Sequence, residues 1–410
     1  MKYILAVTGS IASYKSFDVA RQLVKNGHEV KVVLTRGALE FIKPETYRYL
    51  GVTEVYLPED DFKPDFLSKN QTVLHIELAR WADKLIIAPL SANTLARLSL
   101  GLNNDLLGSL YLAFGKKPIL MFPAMNTEML NQRRVQEHLD NFEKMSHVGI
   151  INPVSGLLAC GDNGAGKFPE VGAVVELIES FDPTRTQDKT IIITAGATAA
   201  PLDPVRFLTN PSTGRMGLSV ARAFLQKGYK VTVLAGHACT SDVNFLSGHP
   251  RFTLVKTPTT EMMKVAALKH FPTAELYIST GAIADIEFDV VDEKIKKEKM
   301  GTSLPFRQAA DILAEILKIK KSNQKVVSFA AETETSDKVF AEKMKRKPVD
   351  LMVGNKVSNG LVGSSAIEGF EVPEGQYYFI NSQKTAGPVK LTKKEVGIKL
   401  TEWFEGQSPW

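Results

Sequence analysis

Short apolar runs of strand length alternate along the first half of the chain with segments of helical periodicity. The strand-like runs lie at residues 3–7, 29–35, 84–89 and 118–123. Between the first two runs, Phe17, Ala20 and Leu23 recur at helical spacing, and Gly27 is placed to end that helix. Continuous apolar strands joined by helices are typical of a parallel sheet that is buried on both faces.

The pattern begins again after residues 179–190, a polar stretch without periodicity that we interpret as a linker. Residues 218–236 repeat the organisation of residues 17–35, since in both V-A-R opens a helix that ends at K-x-G and leads into an apolar strand. Further strand-like runs lie at residues 190–198, 276–281, 325–331, 350–355 and 377–380. The chain therefore predicts two Rossmann-like α/β domains with mainly parallel sheets, residues 1–187 and 188–410.

The composition is that of a soluble globular protein of more than one domain. The 410 residues exceed one ordinary domain, and a 44% hydrophobic and 23% charged make-up is normal for a soluble globular protein. A net charge of +5 is mild at this length and suits small anionic substrates better than nucleic acid. No run approaches membrane-spanning length. We therefore expect small-molecule substrates, no nucleic acid and no membrane.

The two cysteines, Cys160 and Cys239, argue against a disulfide framework and favour a reducing compartment. Residues 1–10 carry one lysine and an apolar run too short for a signal-peptide core, so we expect them to form a first buried strand. Both observations favour the cytoplasm.

Loops after the strands of the first half carry the candidate binding groups, because ligands bind at the carboxyl ends of parallel strands. "TGSIASYK", from Thr8, could hold a phosphate on backbone N–H groups, although a tight turn with a helix cap explains it equally well. It lacks G-x-G-x-x-G, which counts against a dinucleotide. For His75, a half-buried helix histidine is the simpler explanation. Asn126 either caps a loop or holds a ligand, and Cys160 lies among glycines that could close over one.

Together, "GSIASYK", "HIELARWADKLIIAPLSANT", "PAMNTEM" and "ACGDNGAGK" resemble, in this order and spacing, the flavin-dependent phosphopantothenoylcysteine decarboxylases. The match is closest to the decarboxylase half of the bacterial bifunctional enzyme of coenzyme A synthesis, over about residues 1–175. The resemblance implies a flavin domain of the homo-oligomeric cysteine decarboxylase type with bound FMN. It implies cofactor contacts at Gly9, Ser10, Ile11, Ala12, Thr35 and Ser91.

The same resemblance implies three catalytic side chains. His75 would act in proton transfer, which its ordinary pKa of about 6.5 allows. Asn126 would bind the substrate carboxylate through its amide donors, which orient a departing carboxylate without the strong attraction of an arginine. Cys160 would protonate the enethiolate that remains after CO2 has left.

The second half contains a long loop, residues 193–217, punctuated by proline and glycine, and loops of that length are usually functional. Arg206 could contact a phosphate there, and Asn210 an acyl oxygen. Lys343 and Lys347 would share one helix face, which is unfavourable unless an anion such as a triphosphate lies between them.

The stretches "DPVRFLTNPSTGRMG", "AIAD", "KIKK" and "FAAET" and the lysine pair resemble the phosphopantothenate–cysteine ligase half of the same enzyme, over about residues 188–362. This implies that 4′-phosphopantothenate reacts with CTP, with Mg2+ held largely through the CTP phosphates, and that cysteine then displaces CMP from the acyl-cytidylate. Asn210 and Lys294 would be catalytic. Substrate or nucleotide contacts are implied at Arg206, Asp285, Ala309, Ala310, Asp311, Ile312, Phe329, Lys343 and Lys347.

The second half also departs from the family pattern. Ala200 stands where the family has an acidic residue, residues 308–312 read "QAADI" in place of "KNPDI", and residues 363–380 replace a short "F-G-(S/T)-D-E-N" stretch. These changes bear on nucleotide identity and ligase rate more than on the fold.

The leading hypothesis is a cytoplasmic homo-oligomer, with a trimer-based flavin domain and a dimeric ligase domain, that makes 4′-phosphopantetheine. An FMN-dependent peptidyl-cysteine decarboxylase with an inactive or repurposed ligase-like half is one rival, against which Asn210, Lys294 and the lysine pair argue. A flavin- or nucleotide-binding regulatory module is a second, against which His75 and Cys160 argue. A dinucleotide oxidoreductase is a third.

Overall fold

The computed structural model describes residues 1–63, 73–157, 161, 163–296, 303–359, 367–368, 372 and 374–408. The chain divides into two compact units, Met1–Arg185 and Thr186–Trp410. The division falls inside the polar stretch between the two apolar patterns.

The first unit is built on a six-stranded parallel sheet of order β3-β2-β1-β4-β5-β6, with a separate antiparallel hairpin, β7–β8. Its strands are β1 Lys2–Val7, β2 Glu29–Leu34, β3 Glu54–Tyr56, β4 Lys84–Leu90, β5 Ile119–Pro123, β6 Val148–Ile150, β7 Val154–Leu157 and β8 Asn163–Lys167. Its helices are α1 Lys15–Lys25, α2 Arg36–Leu39, α3 Glu45–Tyr49, α4 Leu74–Trp81, α5 Ala92–Ser99, α6 Leu106–Ala113, α7 Thr127–Asn131, α8 Arg133–Glu143 and α9 Val171–Ser180.

The second unit holds an eight-stranded sheet of order β13-β12-β9-β14-β17-β18-β21-β22, in which β21 runs antiparallel to both of its neighbours and the other strands share one direction. Its strands are β9 Thr190–Ala195, β10 Ala199–Pro201, β11 Phe207–Thr209, β12 Lys230–Ala235, β13 Phe252–Lys256, β14 Leu276–Ser279, β15 Ile286–Glu287, β16 Arg307–Gln308, β17 Lys325–Glu332, β18 Leu351–Lys356, β19 Ser358–Asn359, β20 Ile367–Glu368, β21 Glu374–Ile380 and β22 Thr385–Thr392. Its helices are α10 Arg215–Gln226, α11 Thr260–His270, α12 Ile312–Ile319, α13 Asp337–Arg346 and α14 Lys393–Phe404.

Each sheet is covered on both faces, which confirms the predicted α/β class with mainly parallel strands. In the first unit one apolar cluster contains Leu5 and Val32 and the other contains Ile4 and Val33, so alternate side chains of each strand enter opposite layers. All seven residues of β4 are buried. The second unit repeats this arrangement about β9, with Ile193 in one layer and Ile192 in the other.

Helix ends follow the local chemistry of the sequence. Helix α1 ends at Lys25, and Gly27 adopts a φ of +83° two residues later. This confirms the prediction that Gly27 ends the helix. The predicted linker begins two residues too early, because Glu179 and Ser180 still belong to α9. Beyond them, the Lys84 ammonium donates to the carbonyl of Phe181 at 2.7 Å, which fixes the end of that helix.

Candidate active sites

The carboxyl edge of the first sheet brings together the loops that follow β1, β4 and β5. The Thr8 hydroxyl donates to the carbonyl of Pro89 at 2.8 Å and accepts from the backbone N–H of Ser91 at 2.7 Å. The Ser10 hydroxyl donates to the carbonyl of Ala124 at 3.2 Å. Three loops that are far apart in sequence therefore form one connected surface.

The predicted cofactor loop touches the start of α2 through two glycines. A Cβ atom added to Gly9 would lie 3.0 Å from the backbone of Gly37. Ser10 caps a short 3₁₀ helix, Ile11–Tyr14, and the side chain of Ile11 is 56% exposed. A narrow glycine-lined loop with an open outer side fits a flavin phosphate, which needs close approach to backbone N–H groups.

The other predicted cofactor contacts lie at the same edge but use their hydroxyls within the protein. Thr35 is buried and donates to the carbonyl of Val7 at 3.3 Å. Ser91 caps α5 by accepting from the backbone N–H of Thr94. Both hydroxyls thus shape the loops that a cofactor would contact.

His75 is held by a carboxylate that the sequence did not reveal. Its Nδ1 lies 2.8 Å from both carboxylate oxygens of Asp61, and its backbone N–H donates to Oδ1 of Asp61 at 3.1 Å. The Asp61 side chain is 3% exposed and the His75 side chain 25% exposed. His75 is therefore a partly buried helix histidine, as the simpler explanation has it, and its imidazole is in addition oriented by a buried carboxylate and open to solvent.

Asn126 follows β5 and caps α7, since its Oδ1 accepts from the backbone N–H of Glu128 at 2.8 Å. The cap uses the amide oxygen, whereas the predicted contact with a substrate carboxylate uses the amide N–H2 group. The two alternatives that the sequence offered therefore concern different atoms of one side chain and are compatible.

The β7–β8 hairpin is anchored on the loop that carries Asn126. The backbone N–H of Met125 donates to the carbonyl of Gly166 at 3.1 Å, and the Thr127 hydroxyl donates to the carbonyl of Ala165. Gly166 has a φ of +122°, and a Cβ atom there would lie 2.1 Å from the carbonyl oxygen of Met125. Cys160 belongs to the connection between β7 and β8 and lies outside the described residues.

In the second unit, three of the predicted residues line one cleft of about 410 Å3, at the carboxyl edge of the sheet. Asn210 lies at its rim, and its Nδ2 donates to the carbonyl of Ala282 at 3.4 Å. Asp285 and Phe329 complete this set. The other lining residues include Thr213, Gly214, Arg215, Thr280, Asn355, Tyr377 and Lys393.

Arg206 is held by the aspartate of its own D-P-V-R turn. The Asp203 carboxylate accepts hydrogen bonds from Nη2 of Arg206 at 2.6 Å and from the backbone N–H of Ile295 at 3.2 Å. Nη2 of Arg206 also donates to the carbonyl of Ile295. Burial alone would raise the pKa of Asp203, but the bonds from Arg206 and backbone N–H groups outweigh it and hold the pKa well below its usual range. The turn thus fastens the segment that carries the exposed Lys294.

Lys343 and Lys347 do not lie on one helix face, contrary to the prediction from the sequence, and each is paired with an acidic side chain. Lys347 lies just beyond the last residue of α13 with a φ of −133°, so the two lysines do not share a helix face. Lys347 instead pairs with Asp311 at 2.7 Å, and Lys343 pairs with Glu332. Burial and the nearby Arg346 and Lys347 lower the pKa of Lys343.

Residues 308–312 lie beside Asp285, because the backbone N–H of Ala309 donates to the Asp285 carbonyl at 2.9 Å. Ala310 is partly buried. Asp311 caps α12 by accepting from the backbone N–H of Ala314 at 3.0 Å. The side chain of Ile312 is 1% exposed and packs in the core, which leaves its backbone as the part that a nucleotide could reach.

Ala200, where the family has an acidic residue, is 2% exposed and packs with Ala284 and Phe288. An acidic side chain at this position would enter an apolar cluster, so the alanine suits its local environment.

One cation of the cleft, Lys393, was missed by the motif comparison. Lys393 is 8% exposed and donates to the carbonyl of Val372, and burial together with Arg215 lowers its pKa. The sequence did carry a signal for its location, since Thr392 and Glu395 form a capping box that starts α14.

None of the helices in the described part of the chain combines the length and apolar character that a membrane crossing requires. Within the same residues, no three His, Cys, Asp or Glu side chains are grouped as metal ligands.

Comparisons with known proteins agree on both units. A model of the flavoprotein family matches residues 1–181, and one of the DNA/pantothenate metabolism flavoprotein C-terminal domain matches residues 186–406. The coenzyme A biosynthesis bifunctional protein CoaBC of Haemophilus influenzae is 35% identical over 88% of this chain and 87% of its own. The Bacillus subtilis protein of the same name is 34% identical over 88% of this chain and 87% of its own. A solved structure, the FMN binding protein AtHal3, is 35% identical and covers 43% of this chain and 94% of its own, with a TM-score of 0.38.

The first unit is thus of the flavoprotein class and the second of the pantothenate-metabolism class. The chain belongs to the CoaBC family of bifunctional coenzyme A biosynthesis proteins. This confirms the resemblance seen in the sequence motifs. It also disfavours the peptidyl-cysteine decarboxylase rival, because the family match spans both units.

Proposed function

We propose that this chain makes 4′-phosphopantetheine from 4′-phosphopantothenate, cysteine and CTP, with ligation in the second unit and decarboxylation in the first. The observation that carries the proposal is the convergence of loops in the first unit. Ser10 of the cofactor loop bonds the loop of Asn126, and that same loop anchors the hairpin whose connection contains Cys160. These contacts support an arrangement in which the cofactor loop and the carboxylate-binding loop act at one edge of the sheet, with the hairpin attached to them.

FMN fits the loop of Gly9, Ser10, Ile11 and Ala12 by the glycine contact and the open outer side described above. When bound there, it supplies a reversible two-electron acceptor for the thiol end of the substrate. Asn126 orients the carboxylate through its amide N–H2 group, so that CO2 leaves in a fixed direction. His75 exchanges a proton with the substrate, and the Cys160 thiol supplies the proton that the resulting carbon needs.

In the second unit, the cleft offers Asn210 for the acyl group and the Phe329 ring as a face for the base. Lys343 and Lys347 would exchange Glu332 and Asp311 for phosphate oxygens when CTP binds. Lys294 would approach the reacting phosphate on the segment that Asp203 fastens. Mg2+ would arrive on the CTP phosphates, as is usual where a protein offers few carboxylates.

We expect a homo-oligomer, trimeric through the flavin unit and dimeric through the ligase unit, as the family resemblance implies. Exposed apolar side chains on the β10–β11 hairpin region, Val205, Phe207 and Leu208, support a covered surface in the second unit. The cytoplasm remains the expected location, because the substrate and product carry free thiols that an oxidising compartment would consume. Light scattering of the purified protein measures the oligomeric state.

The first test combines two measurements on one sample. The visible spectrum reports bound flavin, and pyrophosphate and CO2 are then followed with 4′-phosphopantothenate, cysteine and either CTP or ATP. We expect a yellow protein that releases both products and prefers CTP. Release of CO2 only from added 4′-phosphopantothenoylcysteine would overturn the ligase assignment, and a yellow protein without CO2 release would overturn the decarboxylase assignment.

A further inference from the structure

We infer that Asp61 is a positioning residue for His75, which keeps the imidazole proton on Nδ1 and leaves Nε2 to exchange a proton with the substrate. This inference rests on the decarboxylase function proposed for the first unit. It concerns a residue outside every motif that linked the chain to its family.

Three contacts define the orientation of the ring. Both oxygens of Asp61 lie 2.8 Å from Nδ1, and the backbone N–H of His75 donates to Oδ1 at 3.1 Å. Asp61 belongs to the 3₁₀ helix Asp60–Phe62 and His75 to α4, so the contact joins two elements. The carboxylate therefore fixes both the backbone and the ring of His75.

The chemistry of these atoms selects one tautomer. A carboxylate only accepts hydrogen bonds, so a neutral imidazole must donate to it from Nδ1. Nε2 then carries the lone pair and can accept a proton. When it does, the buried carboxylate stabilises the charged ring through a charge-assisted hydrogen bond.

The alternative is that Asp61 has a purely structural role, as the neighbouring Asp60 has. The Asp60 side chain is similarly buried, 4% exposed, but it accepts from the backbone N–H of Leu57 and from Lys63, both at 2.7 Å. These bonds tie the short 3₁₀ helix to the preceding loop without contacting His75. Asp60→Asn is therefore the matched control for Asp61→Asn.

Asp61→Asn makes a sharp prediction because the side chain keeps its shape. The amide has one oxygen, and the backbone N–H of His75 requires it at the Oδ1 position. The amide NH2 group then takes the Oδ2 position, 2.8 Å from Nδ1 in the native protein. Nδ1 then faces an amide oxygen that accepts and an NH2 group that donates, both at 2.8 Å in the native geometry, so the exclusive preference for the Nδ1–H tautomer is lost. In the Nε2–H tautomer that becomes populated, the ring proton blocks proton acceptance.

The test uses the full-length, flavin-loaded protein labelled with ¹⁵N-histidine, with the His75 signals assigned by comparison with His75→Gln. We expect the Nδ1–H tautomer alone in the native protein and in Asp60→Asn, and a population of the Nε2–H tautomer in Asp61→Asn. We also expect kcat for decarboxylation of 4′-phosphopantothenoylcysteine to fall about 100-fold in Asp61→Asn with little change in KM, the scale of general acid–base catalysis. Asp61→Glu, which restores a carboxylate, should recover the native tautomer and part of kcat.

Several results would overturn the inference. They are an Nε2–H tautomer in the native protein, an unchanged tautomer and kcat in Asp61→Asn, or an equal loss in Asp60→Asn. Flavin absorbance and circular dichroism report folding, and if Asp61→Asn does not fold, Asp61→Glu must show the native tautomer for the inference to stand. A native protein with the expected tautomer but no CO2 release would instead refute the proposed function, so the two failures are distinguishable.

Discussion

Lys84 of the first unit is a lysine with a buried ammonium group. It is 2% exposed, and its ammonium donates to the carbonyls of Ile178 at 2.6 Å and Phe181 at 2.7 Å. These carbonyls at the end of α9 replace water only in part, and burial lowers the pKa of Lys84 to about 8. The residue therefore couples the stability of this unit to pH.

The coupling has a definite sign. The folded-state pKa of about 8 lies below the unfolded value, so between that pH and about 10.4 the unfolded chain binds more protons. The free energy of unfolding of the native protein, measured relative to Lys84→Met, should therefore rise from pH 8 to pH 10 by about 2 kcal/mol. Urea unfolding of both proteins at the two pH values measures this difference.

The matched control is Lys117→Met, because Lys117 also donates to carbonyls at a helix end, those of Ala79 and Ala82, but is only partly buried. A difference that stays constant with pH for Lys84→Met, or that rises equally for Lys117→Met, would contradict burial as the cause.

Asp203 offers a second prediction at the residue scale. Asp203→Asn would turn an NH2 group towards Arg206 or Ile295, both of which donate to the native carboxylate. We expect the segment of Lys294 to become more accessible to protease and ligase turnover to fall by about tenfold or more, as for other lost charge-assisted hydrogen bonds. CO2 release from 4′-phosphopantothenoylcysteine should be unchanged. Equal proteolysis and turnover in both proteins would show that the turn does not position this segment.

At the scale of elements, the β7–β8 hairpin depends on glycines for its close contact with the loop of Asn126. Gly164 faces the Thr127 hydroxyl, and Gly166 faces the carbonyl of Met125. Side chains at these positions would separate the hairpin from the loop. Docking of the hairpin thus depends on close approach between β8 and the loop of Asn126.

Gly166→Ala tests this docking. Its Cβ atom would meet the Met125 carbonyl oxygen at 2.1 Å, whereas a Cβ atom at Gly161 would meet nothing within 4 Å. An overpacking cost of about 1–3 kcal/mol corresponds to roughly a 5- to 150-fold loss of the docked hairpin. We expect decarboxylation to fall on that scale with ligation unchanged. Gly161→Ala shares the strain of a positive φ, so an equal loss in both variants would assign the effect to backbone strain.

At the scale of the whole molecule, each unit has its own sheet and its own apolar layers on both faces. Each unit therefore has its own hydrophobic core, and we expect it to catalyse its half-reaction even when the other unit is inactivated. The two reactions are then linked by a diffusible intermediate, 4′-phosphopantothenoylcysteine.

A complementation experiment tests this independence. We expect Cys160→Ser to ligate but not complete decarboxylation, and Asn210→Asp to do the reverse. A mixture of the two should form 4′-phosphopantetheine at the rate of native protein diluted equally with the double variant. A mixture without product would show that the intermediate does not pass between molecules.

Much of the fold was predictable because its signals are local. The apolar runs of β1, β4 and β9, the helix spacing of Phe17, Ala20 and Leu23, and the turn at Gly27 each depend on neighbours a few residues away. The sequence also determined the family, since its motifs keep their order and spacing. For the same reason it named His75 and Asn126, which the structure places in the first turn of α4 and at the N-cap of α7.

Tertiary structure alone decided what those residues contact. Asp61 reaches His75 across 14 positions, Gly166 reaches Met125 across a hairpin, and Lys347 pairs with Asp311 from another helix. Periodicity reports which face of an element is buried, but it contains no information about the element packed against that face. The partners of a charged or catalytic side chain are set by that packing, so they became visible only when the sheets and their loops were in place.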